Sequence, residues 1–131
     1  MRGALVCAVL LLAMPAVAED NLDEMRENLM RLSVAPAAFG GKTVPIFCPI
    51  EKADTDGIIC VVLNSSQVPV GREYIPVNLK DPAPYMDVLN KCPGPLGMAV
   101  QDRCSYAVDV HVDMSGGYEY PQAVSLRPLF P

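Results

Sequence analysis

Beyond residue 18 the chain carries four cysteines in two equal steps, Cys48 to Cys60 and Cys92 to Cys104, with eleven residues inside each step. What precedes them decides what they do. Met1-Arg2 is a minimal positive start, Ala4 to Ala13 is a short apolar run with four leucines, and Ala16-Val17-Ala18 is a small-x-small cleavage site. That run is too short to span a bilayer core of roughly 30 Å as a permanent helix. Residues 1–18 therefore read as an export signal, with Glu19 as the expected mature start and Cys7 removed with the signal. The alanine-rich signal suits a bacterium, and the expected address is periplasmic or secreted. Four thiols delivered to an oxidising compartment are expected to pair. The class this implies is a small, exported domain stapled by two disulfides.

Removal of Arg2 with the signal leaves nine basic against fifteen acidic side chains, a formal charge of −6. Such a domain lacks the basic footprint on which nucleic-acid binding depends. It is also repelled by an anionic membrane surface, and no further apolar stretch is long enough to insert. The 113 residues after the signal make one domain, large enough for a core that disulfides reinforce.

Residues 20–32 predict one amphipathic helix, with Leu22, Met25, Leu29 and Leu32 along one stripe. Acidic residues crowd its first turns, and Glu27 to Arg31 is a favourable i,i+4 pair. A stripe this narrow has to dock, either on its own domain or as a seam to another chain. A flexible passage is expected over Ser33 to Lys42, with Pro36 and Gly40-Gly41.

From Thr43 onward the period changes to two. Val44, Ile46, Cys48 and Ile50 alternate in a first strand, and Pro45 and Pro49 within it imply at least one unpaired side. Asp54 to Gly57 is turn chemistry, and Ile58 to Leu63 is a continuous apolar run of the kind covered on both faces. After a turn at Asn64-Ser65-Ser66, a third strand runs from Arg72 to Leu79. Pro84 opens a short helix through Asn90, and Pro93-Gly94-Pro95 ends it. Cys104 to Met114 is the cleanest strand: Tyr106, Val108, Val110, Val112 and Met114 face one way, and Asp109, His111 and Asp113 the other. Gly116-Gly117 turns the chain into a fifth strand, Ala123 to Leu129.

Strand, strand, strand, short helix, strand, strand is an order that resembles the exported bacterial OB-fold proteins, over residues 43–130. The resemblance implies a mainly β fold, a five-stranded OB-like Greek-key barrel with a short helix between strands 3 and 4. The chain then divides into the signal (1–18), an N-terminal helix and linker (19–42) and the barrel domain (43–131). With the helix in front, the order is also similar to the B subunits of bacterial AB-type toxins, which are pentameric, sugar-binding OB folds. The chain departs from an aromatic lectin platform in having no Trp. In OB folds the loop between the last two strands borders the ligand face, which makes Tyr118 and Tyr120 the stacking candidates for a ligand.

Four cysteines allow three pairings. If the first two strands form a hairpin, Cys48 and Cys60 lie on neighbouring strands, while Cys92 closes the short helix and Cys104 opens the fourth strand. These placements favour Cys48–Cys60 with Cys92–Cys104, each closing a loop worth about 3 kcal/mol in the chain-entropy treatment. Neither step has the two-to-four-residue spacing of a zinc site, and no C-x-x-C redox motif occurs.

His111 is the sole histidine. Asp109, His111 and Asp113 share a strand face, but alternate positions stand about 6.5–7 Å apart, too far to converge easily on one ion. A solvated polar face accounts for the row. No G-x-S-x-G elbow, free thiol or Gly-rich phosphate loop is present. Gln67-Val68-Pro69-Val70-Gly71 matches the cystatin loop Gln-x-Val-x-Gly at its ends, with Pro69 where Val is required, and reads as a strand connection. The sequence therefore points to a non-enzymatic module without cofactor or metal. Its expected partner is another protein, met through the Leu22–Leu32 stripe or an open sheet edge. A glycan held by the barrel loops is the alternative, and an exported enzyme inhibitor a third.

Overall fold

The computed structural model describes residues 21–92 and 102–130. The export signal and the Pro93-Gly94-Pro95 stop lie outside the described residues. A helix α1 (residues 21–34) leads through a 3-10 turn, Pro36–Phe39, into β1 (Thr43–Ala53), β2 (Gly57–Leu63) and β3 (Pro69–Pro76). Helix α2 (Ala83–Lys91), β4 (Ser105–Ser115) and β5 (Tyr118–Pro128) follow. The five strands form one antiparallel sheet in the order β3-β2-β1-β4-β5.

Strand β1 is shared between two partners in succession. Residues Thr43 to Pro49 pair with β4, from Thr43↔His111 to Pro49↔Ser105. From Ile50, opposite Cys60, the ladder passes to β2, with a register shift between Ile50 and Lys52. The sheet consequently bends around one core, and its two end strands approach each other. Just beyond β3, Val77 forms a parallel bridge with Ala123 of β5, backed by Asn78 N–H to the Ala123 carbonyl at 2.9 Å. The sheet is not closed.

Over its first half β1 has the unpaired side that its prolines implied, and α1 covers it. Asn28 donates from Nδ2 to the Pro45 carbonyl at 2.9 Å. A strand residue presents its nitrogen and carbonyl to the same edge, so the N–H missing at Pro45, and at Pro49 four residues on, removes no bond to β4. Helix α1 straddles this edge. Leu29 and Leu32 enter the main core, whereas Met25 packs with Phe47 and Ala107 in a smaller cluster joined by Leu22. Phe47 and Ala107 are opposite each other in the ladder, on the face away from Cys48 and Tyr106. The stripe considered as a seam for another chain is therefore occupied by the chain's own sheet.

Both expected disulfides are present, Cys48–Cys60 and Cys92–Cys104, with Cα separations of 5.0 and 5.8 Å. Because Cys60 faces Ile50, the first bond runs diagonally across the point where β1 passes from β4 to β2. Inside the bend lie Ile46, Ile50, Ile58, Ile75 and the Tyr106–Val112 row, capped by Tyr85 and Val88 of α2.

Three expectations change. The passage from Ser33 to Lys42 is ordered: α1 runs to residue 34, and Gly41 and Lys42 exchange backbone bonds of 2.7 and 2.9 Å with Val112. The third strand runs from Pro69 to Pro76 rather than from Arg72 to Leu79. The fifth begins at Tyr118 rather than Ala123, because Gly116 and Gly117 take φ of 60° and 83° and close a two-residue hairpin.

The docking of α1 has a direct test. Asn28→Ala leaves the Pro45 carbonyl without its partner and is expected to cost about 1–3 kcal/mol, read as a lower urea midpoint. An unchanged midpoint would show that the edge does not need the helix.

Candidate functional site

The two-residue hairpin decides which side chains stand together. Its register places Ser115 opposite Tyr118, Asp113 opposite Tyr120 and His111 opposite Gln122. Opposed residues in an antiparallel pair project from one face, so the Asp109–Asp113 row and the two tyrosines, identified separately in the sequence, form one stripe on the outer face of β4 and β5. A register shift between Asp109 and Val110 makes Val124 the extra residue and sets Asp109 against Ser125.

Hydrogen bonds order the stripe from its flanks. Thr43 Oγ1 meets His111 Nδ1 at 2.9 Å, and Ser125 Oγ donates to Asp109 at 2.6 Å. Asn78 Nδ2 donates to Gln122 Oε1 at 3.0 Å, across the seam between the end strands. Tyr118 and Tyr120 carry no such ties and are 67 % and 48 % exposed. They stand on the part of the hairpin beyond the β1 ladder, which ends at His111. Asp113, opposite Tyr120, is the acidic group on their face, whereas Glu119, opposite Met114, belongs to the other face. A cleft of about 490 Å³ continues the surface beside β5, between Leu79, Lys80 and Pro84 on one side and Val124 and Ser125 on the other.

Such a surface can stack aromatic rings and exchange hydrogen bonds. Asp109 is engaged by Ser125 and the imidazole by Thr43, and among the described residues no group of three or more His, Cys, Asp or Glu side chains is placed to hold a metal ion. The four cysteines are buried in their disulfides. Gln67 to Gly71 divides between a turn and the start of β3. Asn64 Oδ1 accepts from the Ser66 and Val68 N–H groups, and Gln67 is held at φ 59°, a left-handed conformation unusual for a residue other than glycine.

Displaced titrations gather instead around the β1–β2 turn. The Asp54 carboxylate accepts from the Asp56 and Gly57 N–H groups, which hold its pKa below the usual value. Tyr85 of α2 donates its hydroxyl to the Asp54 and Gly57 carbonyls, the latter at 2.8 Å. Burial first, then the negative charge of Asp54, pushes the Tyr85 pKa up to about 12. Both groups spend their hydrogen-bonding capacity on the backbone, so they anchor the turn to α2. Displaced pKa values of this origin mark structure rather than a reacting centre.

No family model matches the chain, and no curated protein or solved structure is significantly similar to it.

Sequence reasoning placed Tyr118 and Tyr120 in a loop and missed Thr43, Asn78, Gln122 and Ser125. Recognition of Gly116-Gly117 as a two-residue hairpin would have fixed the register and joined the row to the tyrosines. The contributions of Thr43 and Asn78 depend on long-range pairing and have no local trace.

The Tyr85 anchor predicts a pH dependence. Its folded pKa is above the ordinary tyrosine value of 10.0, so its contribution is complete below pH 10 and is lost as pH rises to about 12. Tyr85→Phe is expected to lower stability by about 2 kcal/mol at pH 7. It should also flatten the fall in urea midpoint between pH 10 and pH 12. Parallel curves for the two proteins would contradict the anchor.

Proposed function

We propose that the chain is an exported, non-enzymatic binding module of OB-like architecture, and that its partner is another protein engaged by the outer face of the β4–β5 hairpin. The single observation that carries this reading is the pair Tyr118 and Tyr120. Two large exposed side chains stand on one face of a hairpin that extends past its neighbouring strand. Tyrosine supplies a large contact area with few rotors to immobilise, which is why it recurs at the energetic centres of protein interfaces. The Asp113 carboxylate opposite Tyr120 suits a partner that brings a basic side chain to the hairpin.

Two further features support the architecture and the address. Helix α2 lies between β3 and β4, and the parallel Val77–Ala123 bridge sets the fifth strand beside the end of the third, as an OB-like barrel requires. Two disulfides suit an oxidising compartment, and among the described residues no helix is long and apolar enough to cross a membrane.

A glycan ligand is the second reading, favoured by the same tyrosines lying beside Asp113, His111 and Gln122, which offer hydrogen bonds to hydroxyl groups. Light scattering and a glycan array separate the two: a ring-sized oligomer with saturable sugar binding supports the glycan, and a monomer without it supports the protein partner.

The double variant Tyr118→Ala/Tyr120→Ala tests the surface itself. Partner capture from periplasmic extract, with crosslinking at the hairpin, is expected to fall at least about tenfold. The unfolding free energy from urea titration should stay within about 0.5 kcal/mol of the parent, because both side chains face solvent. Undiminished capture would move the interface elsewhere.

A further inference from the structure

A second cleft, of about 500 Å³, opens between α1 and the β2–β3 turn, on elements that carry neither tyrosine of the hairpin. We propose that it binds a small amphipathic anion, a carboxylate on an aliphatic chain, with Arg26 as its counter-ion. This goes beyond the protein-binding reading and does not depend on it.

The volume lies within the range of small-ligand sites, and both apolar side chains that line it, Met30 and Leu63, are partly buried. Methionine adapts its shape to an aliphatic occupant. The turn side is rigid before any ligand arrives. Asn64 accepts two backbone N–H groups at 2.9 and 3.0 Å, its own N–H donates to the Val68 carbonyl at 3.0 Å, and Gln67 N–H donates to the Asn64 carbonyl at 2.8 Å. That lattice holds Gln67 on the rim in its left-handed conformation. A wall ordered in advance leaves less entropy to lose on binding.

The helix side supplies the charge, and its two arginines differ. Arg31 is matched by Glu27 at 2.7 Å. Arg26 is not matched so well: its side chain is only 28 % exposed, its guanidinium lies over the Phe47 ring at 4.9 Å, and its Nε is buried with no hydrogen-bond partner. Among the described residues its one ion pair, to Asp23, is long at 3.4 Å, and the Asp23 side chain is 85 % exposed. A guanidinium has five N–H donors, and here a half-buried cation leaves most of them unspent above an apolar floor. A carboxylate bound in the cleft meets the exposed part of the Arg26 guanidinium, where the reduced dielectric strengthens the pair, while its chain covers Met30 and Leu63. Asn64 and Ser65 complete a polar rim that also holds the Asp23 and Glu27 carboxylates, which leaves Arg26 as the cation that a bound anion must win from Asp23.

Octanoate and octanamide, which share a chain and differ in charge, are the probes. In a titration of the full mature protein followed by NMR, octanoate is expected to give saturable shifts at the Met30 methyl and the Arg26 Nε–H. Octanamide should bind at least about tenfold more weakly, the worth of one charge-assisted pair. Arg26→Gln should weaken octanoate to the same extent, and Arg31→Gln by less than about threefold, because Glu27 already engages that side chain. Equal binding of octanoate and octanamide, saturable shifts that avoid Met30 and Arg26, or no saturation by octanoate would each overturn the proposal. The comparison of the two probes on the parent protein needs no variant, so poor folding of Arg26→Gln leaves the test intact.

Discussion

Everything in this fold passes through β1. The strand gives its first seven residues to β4 and its last to β2, and the Cys48–Cys60 bond lies at the change of partner. Without a link at that point the sheet would separate into a β1–β4–β5 meander and a β2–β3 hairpin, each with an uncovered apolar face. A covalent bond there keeps the two parts curved around one core. It acts through the unfolded chain as well, by shortening the span that β1 and β2 must search to meet.

The remaining devices manage what the shared strand leaves open. Helix α1 covers the free edge of β1, satisfying a proline carbonyl through Asn28 and sending apolar side chains to both sides of it. The end strands β3 and β5 each carry two prolines, Pro69 and Pro76, Pro121 and Pro128. Proline at an end strand removes a donor that another chain would need for edge pairing. Recognition is therefore left to side chains on faces and in clefts. At the β1–β2 turn, Tyr85 ties the bend to α2, and Gly57 is required because a Cβ there would stand 2.6 Å from the Ile75 carbonyl.

Much of this was legible in the chain. The alternation in Cys104–Met114 identified both faces of β4, and the two equal cysteine steps led to the observed pairing once the strands were placed. The stripe Leu22–Leu32 identified α1 and its apolar face. What stayed hidden has a common physical cause, namely contact between residues distant in sequence. Asn28 is an ordinary polar residue within a helix until Pro45 is set opposite it. Pro45 and Pro49 implied an unpaired side without saying that the chain's own helix takes it. At Tyr118 the difficulty was local: the glycine pair was read as a turn, but the residues after it as loop, whereas its left-handed conformations let the ladder continue to the turn. Arg26 belongs to the first kind, since its buried, unpartnered Nε appears only once the helix is packed on Phe47.

The two disulfides allow an internal comparison, because both join residues 12 apart and close loops of equal length. Chain entropy therefore predicts equal losses when either is removed. The dependence of the fold on the change of partner in β1 predicts unequal ones. Urea unfolding of Cys48→Ala/Cys60→Ala against Cys92→Ala/Cys104→Ala measures the difference directly. The first variant is expected to be less stable than the second by at least about 1 kcal/mol, beyond the roughly 3 kcal/mol that the two losses share. Equal midpoints, or a larger loss from Cys92–Cys104, would contradict the assignment of β1 and its disulfide as the element that holds the sheet together.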